Sequence, residues 1–374
     1  MRNAVILNKL HEDKLKSRQF KVFKTVLNRE ATRRCYTINL DDVLQYLKVD
    51  SYAKFCDMDA NVRQDKLEEF LMDNQDKSFS FGNNHVSAVT KFLSMNRAIF
   101  WKAPLQALIP RHRNQKAGGI PYVTEEIEMM LDVSPSLRTR WLILFFVSTG
   151  ARPGAISDED GYLQIKDLRE MPEDCATFKI YRNTSEEYDA FLTKEAYKAF
   201  KDYLTWRESR GEIITPESPI FAPKTKTKRG YLSSGAVSRI MFYVVKKAGV
   251  KRTKVNAKKF DKSLTYGFRK RLNTILKLDN NVNSNIAEKL MGHKNGLDGT
   301  YLKPTTLECF AEFRKATKEI TIDPTARLRV TNIKLNDQLG LETKHKVLEI
   351  LEAMDINLED LKEFSKQKRK DRKY

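Results

Sequence analysis

The sequence predicts a mainly α protein with a small β-sheet, an α+β chain of two domains. Three observations lead there. Apolar residues recur at helical spacing through the first hundred residues and again beyond residue 190. The nearly unbroken apolar run "LRTRWLILFFVSTG" has the length of a helix and therefore reads as a buried one. The stretch "ATFKIYRNTSEEYDAFLT" carries two short runs rich in β-branched and aromatic residues about a polar turn, which is the pattern of a hairpin.

Residues 1–112 read as a small helical domain with Lys and Arg on its outer faces. In "TINLDDVLQYLKV", Asn39 or Asp41 is expected to cap a helix whose apolar positions are Val43, Leu44 and Leu47. "NVRQDKLEEFLMD" repeats the pattern, and "NNHVSAVTKFLSMNRAIFW" adds Val86, Val89, Phe92 and Leu93. Two prolines, paired glycines and basic residues in "IPRHRNQKAGGIPYVT" mark a boundary, with a basic linker over 113–122.

The second domain, 123–320, opens with "TEEIEMMLDV", started by Thr124 and acidic in its first turn. The buried helix follows and ends at Thr149 and Gly150, and the hairpin comes next. "TKEAYKAFKDYLTWRESRG" places Tyr197, Phe200, Tyr203 and Leu204 on one helical face, and Ser233 or Ser234 caps "SSGAVSRIMFYVVKKAGV". "LTYGFRKRLNTILKL" is a further helix. Residues 321–374 form a C-terminal extension with apolar helical spacing from Leu335 to Met354 and a basic tail, "SKQKRKDRKY". That tail reads either as a solvated terminus or as a contact to nucleic-acid backbone.

With 374 residues, of which 41% are hydrophobic, the chain is long enough for two compact cores. Its 68 Lys plus Arg against 49 Asp plus Glu leave a net charge of +19, a field that draws in polyanions such as nucleic acid. No run of about 18 apolar residues occurs, and charges interrupt the N-terminus, so a soluble, cytoplasmic protein is expected. The four cysteines form no CxxC pair and the five histidines no HxxxH or HExxH spacing. Neither a metal site nor a disulfide framework is therefore expected.

A few polar residues of the second domain stand at constrained places. Arg152 follows the buried helix in "STGARPG", "YGFRKR" sets Arg269 three residues after Tyr266, and "GHKNGLDGTY" supplies His293 and Tyr301. Two arginines, a histidine and a tyrosine suit phosphoryl transfer to tyrosine. Attack on a phosphodiester places negative charge on the non-bridging oxygens, and guanidinium forks neutralise it with a bidentate geometry that lysine cannot copy. Histidine can donate to the same oxygens or handle a proton. A tyrosine nucleophile splits strand cleavage into two reversible transesterifications, and the glycine-rich run before Tyr301 gives it room to swing.

On these motifs the sequence resembles the tyrosine recombinase, or phage-integrase, family over the whole second domain. "STGARPGAI" is similar to the family's first-arginine box, "YGFRKRLNTIL" to the box written HxxR, and "LMGHKNGLDGTY" to its GH…Y terminus. The "LMGH…GLD…Y.KPT" wording and the "EEYDAFLT" hairpin are closest to archaeal integrases. The resemblance implies a helical core-binding domain that closes with a tyrosine-recombinase catalytic domain around double-stranded DNA. It implies that Arg152 and Arg269 clamp the scissile phosphate, that His293 supports them, and that Tyr301 forms a 3′-phosphotyrosyl link and frees a 5′-hydroxyl. No cofactor is implied, and the expected assembly is a tetramer on two DNA sites that is a monomer or weak oligomer when free.

Three positions depart from the family's pattern. Tyr266 stands where the HxxR histidine belongs, although a phenol can still donate. Ala155 stands where an acidic residue often follows the first arginine. The hairpin lysine that would protonate the leaving oxygen falls in register near Arg182 or Asn183, with Lys179 earlier on the strand, and arginine is a poor general acid. The candidate catalytic set is then Arg152, Arg182, Tyr266, Arg269, His293 and Tyr301. Backbone-phosphate contacts are expected from Arg111, Arg113, Lys116, Lys179, Lys270 and, in the basic loop "PKTKTKRGYLSSG", from Lys224, Lys226, Lys228 and Arg229. Tyr266 equally suits a core aromatic, and Lys179 and Arg182 equally suit outer-face strand charges. Two rival functions share the pattern: a DNA-binding protein that keeps the fold without the chemistry, and a type IB topoisomerase-like relaxing enzyme.

Overall fold

The computed structural model describes residues 2–27, 30–111, 119–158, 161–224, 230–256, 259–278, 281–293 and 301–328, together with residues 331, 340, 342, 343, 345, 346 and 349. Arg113, Lys116, Lys226, Lys228, Arg229, the run before Tyr301 and the apolar spacing from Leu335 to Met354 lie outside the described residues. The chain divides into two compact units, residues 1–117 with 255–259 and residues 118–254 with 260–374.

The first unit is helical: α1 (Arg2–Lys16), α2 (Arg18–Thr25), α3 (Glu30–Tyr46), α4 (Tyr52–Asp57), α5 (Ala60–Met72), α6 (Phe79–Met95) and α7 (Lys102–Ala107). The expected apolar positions on α3 and α6 are buried, as is Leu47 just past the end of α3, and Phe23, Tyr52, Phe55 and Phe92 centre the core. Two expectations fail here. The helix that carries Leu44 begins at Glu30, so Asn39 and Asp41 lie inside it rather than capping it. Asp41 is instead a buried acceptor, taking the Tyr52 hydroxyl at 2.5 Å and pairing with Lys14. Nor are all arginines on outer faces: Arg63 is 2% exposed, and its guanidinium donates to the carbonyls of Phe55, Cys56, Met58 and Ile99. Carbonyls meet the terminal nitrogens of this buried charge, while its Nε has no hydrogen-bond partner among the described residues.

The second unit is built around α9 (Leu137–Thr149), which follows α8 (Thr124–Asp132) and precedes the single turn α10 (Gly154–Ser157). Every α9 residue from Trp141 to Thr149 is buried, as the apolar run requires. Trp141 packs against the rings of Phe145, Phe178, Phe200 and Phe221. Thr124 opens α8, but the capping acceptor is the Glu126 carboxylate, which takes the Val123 N–H at 3.2 Å.

The expected hairpin is present as β2 (Cys175–Ile180) and β3 (Tyr188–Leu192), with a further strand, β1 (Leu168–Met171), added on the far side of β2. All pairings are antiparallel, and the register sets Lys179 opposite Asp189 and Ile180 opposite Tyr188. A buried serine ties helix to sheet: the Ser148 hydroxyl donates to the Phe191 carbonyl at 3.0 Å and accepts the Thr193 N–H at 2.8 Å. Then come α11 (Lys194–Ser209), α12 (Ser234–Lys247), the two-stranded sheet of β4 (Lys254–Asn256) and β5 (Lys259–Phe260), α13 (Tyr266–Leu278), α14 (Ser284–Leu290), α15 (Thr306–Lys315) and α16 (Thr317–Ile320). Ser233 caps α12 by accepting from Ala236. On α11, Tyr197, Phe200 and Tyr203 are buried, and the fully buried Arg207 is held by Glu212 and by the Pro219 carbonyl. Among the described residues, no helix is long and apolar enough to cross a membrane.

Candidate functional site

Arg269 is the hub of the candidate site. It lies on the inner face of α13, 7% exposed, with both terminal nitrogens bound to carbonyls. Nη1 donates to Gly150 at 2.8 Å and Nη2 to Met291. Gly150 stands two residues before Arg152, and Met291 two before His293. One guanidinium therefore cross-links the three motif segments. Two of its five N–H donors are engaged in these bonds, and the Tyr188 phenol lies beside the guanidinium. Burial pulls the Arg269 guanidinium below its ordinary value, and the neighbouring Arg152 charge adds to that.

The carbonyl at 150 is available because of how α9 ends. Gly150 adopts φ +54 as a left-handed cap, with Leu272 Cδ2 only 2.9 Å from where a Cβ would lie. Arg152 follows immediately and is half-buried. Ala155 is fully buried in the core, its N–H bonded to the Arg152 carbonyl at 2.9 Å. Burial at this position would desolvate a carboxylate.

His293 is placed by the end of α14. Gly292, at φ +60, donates to Lys289 at 2.8 Å and His293 to the Glu288 carbonyl at 2.9 Å, the paired bonds of a Schellman cap. That cap is why a glycine precedes the histidine. The Gly292 Cα also lies on the Tyr188 ring, 2.5 Å from where a Cβ would sit. The His293 imidazole meets the same residue that holds its backbone: Nδ1 lies 2.5 Å from Glu288 Oε2. Burial pushes the Glu288 carboxyl up, but hydrogen bonds from Lys277 and His293 outweigh it and hold the group below the ordinary carboxylate value.

The hairpin brings cations that are already paired. Lys179 Nζ lies 2.8 Å from Asp189 and 3.7 Å from Glu187, and Arg182 Nη1 lies 3.1 Å from Asp167. Asp189 also accepts from the Thr306 hydroxyl at 2.7 Å, which ties α15 to the strand. Tyr188 on β3 is 8% exposed, with its hydroxyl buried beside the Arg269 guanidinium. Burial pushes its phenol up, opposed by the charges of Arg269 and Arg152.

The two remaining tyrosines stand outside this buried cluster. Tyr301 is 80% exposed, with the next carbonyl, that of Leu302, accepting from Lys289 Nζ. Tyr266 opens α13 and is 45% exposed, so it is neither a core aromatic nor on the buried face of Arg269, three residues along the helix. Of the basic residues expected on phosphates, Arg111 and Lys224 are exposed and Lys270 is half-buried. Sequence reasoning missed Glu288, Lys289 and Tyr188. A signal for the first existed in "EKLMGH", where the helix-ending glycine brings the residue five before the histidine back to it.

No protein-family model and no curated protein matches the chain. Among solved structures, the XerH site-specific recombinase bound to palindromic difH substrate is similar at 16% identity, over 75% of this chain and 78% of that one, with a TM-score of 0.49. The Tn1549 transposon integrase in complex with transposon right end DNA is similar at 14% identity, over 82% and 97%, with a TM-score of 0.48. The integrase from mycobacterium phage Brujita is similar at 15% identity, over 83% and 94%, with a TM-score of 0.41. All three likenesses are distant.

Proposed function

We propose that this protein is a site-specific tyrosine recombinase, of the kind whose wording is found in archaeal integrases, acting on double-stranded DNA as a tetramer on two sites. The Tyr301 hydroxyl, 80% exposed, gives its proton to water and attacks the scissile phosphorus, forming a phosphorus–oxygen bond to tyrosine as the bond to the 5′-oxygen breaks. A 5′-hydroxyl from another strand then reverses the step on the new junction. Bond energy is conserved in the phosphotyrosyl link, so strand joining needs no ATP. Arg152 and Arg269 neutralise the non-bridging oxygens, and His293 donates alongside them.

The leaving 5′-oxygen needs a proton. Of the two hairpin cations, Lys179 is the one able to give it, since an ammonium can deprotonate and a guanidinium does not. Arg182, Tyr266, Lys270, Arg111, Lys224 and the basic loop 223–235 then act on the surrounding phosphates, which position the duplex.

The observation that carries this reading is the Arg269 cross-link, because one guanidinium joins the segments that hold Arg152 and His293. A second reading, a DNA-binding protein without the chemistry, draws on the carboxylates that already occupy Lys179 and Arg182. Covalent capture on nicked duplexes separates the two: an adduct that needs Tyr301 supports the recombinase, and tight binding without an adduct supports the binding protein. Relaxation of any supercoiled plasmid, independent of site, would instead indicate a topoisomerase.

A further inference from the structure

His293 is held twice by one residue. Its backbone N–H donates to the Glu288 carbonyl at 2.9 Å, and its ring Nδ1 lies 2.5 Å from the Glu288 carboxylate. The second carboxylate oxygen is taken by Lys277 of α13, the helix that carries Arg269, so the carboxylate is fixed from both sides. An ionised carboxylate only accepts, so the ring nitrogen facing it carries a proton, and in the imidazolium the other nitrogen carries one as well and can donate to an anionic ligand. The carboxylate expected near the first arginine is absent, with Ala155 in its place.

We propose that Glu288 is the positioning residue of the site: it accepts from Nδ1–H of His293 and so aims Nε2, which carries the second proton of the imidazolium, at a non-bridging oxygen of the scissile phosphate. This inference rests on the recombinase reading. Glu288 does not touch the phosphate; it acts through the imidazole.

The test is the single-turnover rate of covalent adduct formation on a nicked duplex captured from the protein's own genomic neighbourhood. Glu288→Ala is expected to slow the step roughly 10- to 100-fold, the effect of a misplaced group at the reacting centre. Glu288→Gln, whose amide oxygen still accepts from Nδ1–H, is expected to stay within about threefold of wild type. In a His293→Ala background, Glu288→Ala is expected to add nothing, because the two act as one unit.

Glu288→Ala at the wild-type rate, or Glu288→Gln as slow as Glu288→Ala, overturns the proposal. A Glu288→Ala variant damaged in folding is slow in both backgrounds, which overturns it too. If wild type itself forms no adduct, the recombinase reading falls and takes this inference with it; adduct from wild type and Glu288→Ala alike removes this inference alone.

Discussion

Arg269→Met separates the two arginines that the motif treats alike. Methionine fills much of the same space but donates nothing, so the buried carbonyls of Gly150 and Met291 both lose their partner. Each such loss costs about 1–3 kcal/mol, and relief of the buried charge offsets part of it, so a net loss of about 2–4 kcal/mol is expected. For a unit of this size that lowers the unfolding midpoint on the order of 10 °C. Arg152 is half-buried, and Arg152→Met is expected to shift stability by less than about 0.5 kcal/mol. Both variants should lose covalent capture. Thermal unfolding followed by circular dichroism reads the difference. An Arg269→Met midpoint within about 2 °C of wild type would refute the hub, since the three segments would then hold together without that guanidinium.

Three more outcomes follow from contacts already described. Gly292→Ala forces a left-handed alanine onto the Tyr188 ring and should destabilise by about 2–4 kcal/mol in urea titration, whereas Gly235→Ala, whose added methyl meets nothing within 4 Å, should leave stability unchanged or slightly raised. The hydrogen bond from Arg207 holds Glu212 below its ordinary carboxyl value of 4.5. A depressed acid contributes stability that is present above that value and lost as pH falls through the folded one, so the gap between wild type and Glu212→Gln should close in acid; urea midpoints with an undiminished gap near pH 3 would contradict it. Lys179→Met should slow cleavage of an ordinary strand and be restored by a 5′-bridging sulfur, which leaves without a proton, whereas equal slowing on both substrates would remove Lys179 as the acid.

Much of the fold was legible because its signals are local. The run from Leu137 to Gly150 is apolar over a helix's length and ends in a glycine, and it became the buried centre of the second unit. The hairpin was legible from its two short runs, but β1 was not: Leu168–Met171 offers only four residues, two of them exposed, and is a strand because β2 is there to pair with it. Asn39 and Asp41 misled because a capping residue type is also a good buried acceptor, and only the tertiary placement of Tyr52 and Lys14 decides which role Asp41 takes. At the site, the motif residues were legible as types in order. What holds them was not, since the partners of Arg269 are carbonyls, which no side-chain pattern records. Glu288 fell between: its spacing to His293 is visible in the sequence, but its meaning depends on the Schellman cap at Gly292.

The central claim is that Tyr301 becomes covalently joined to DNA, and covalent capture tests it most directly. Wild type and Tyr301→Phe are each incubated with nicked duplexes from the protein's genomic neighbourhood, denatured and examined for protein-bound DNA. An adduct is expected with wild type and not with Tyr301→Phe, and the attached DNA is expected to map to one site. Binding of the same duplexes by wild type with no adduct, or an adduct that survives Tyr301→Phe, would contradict it.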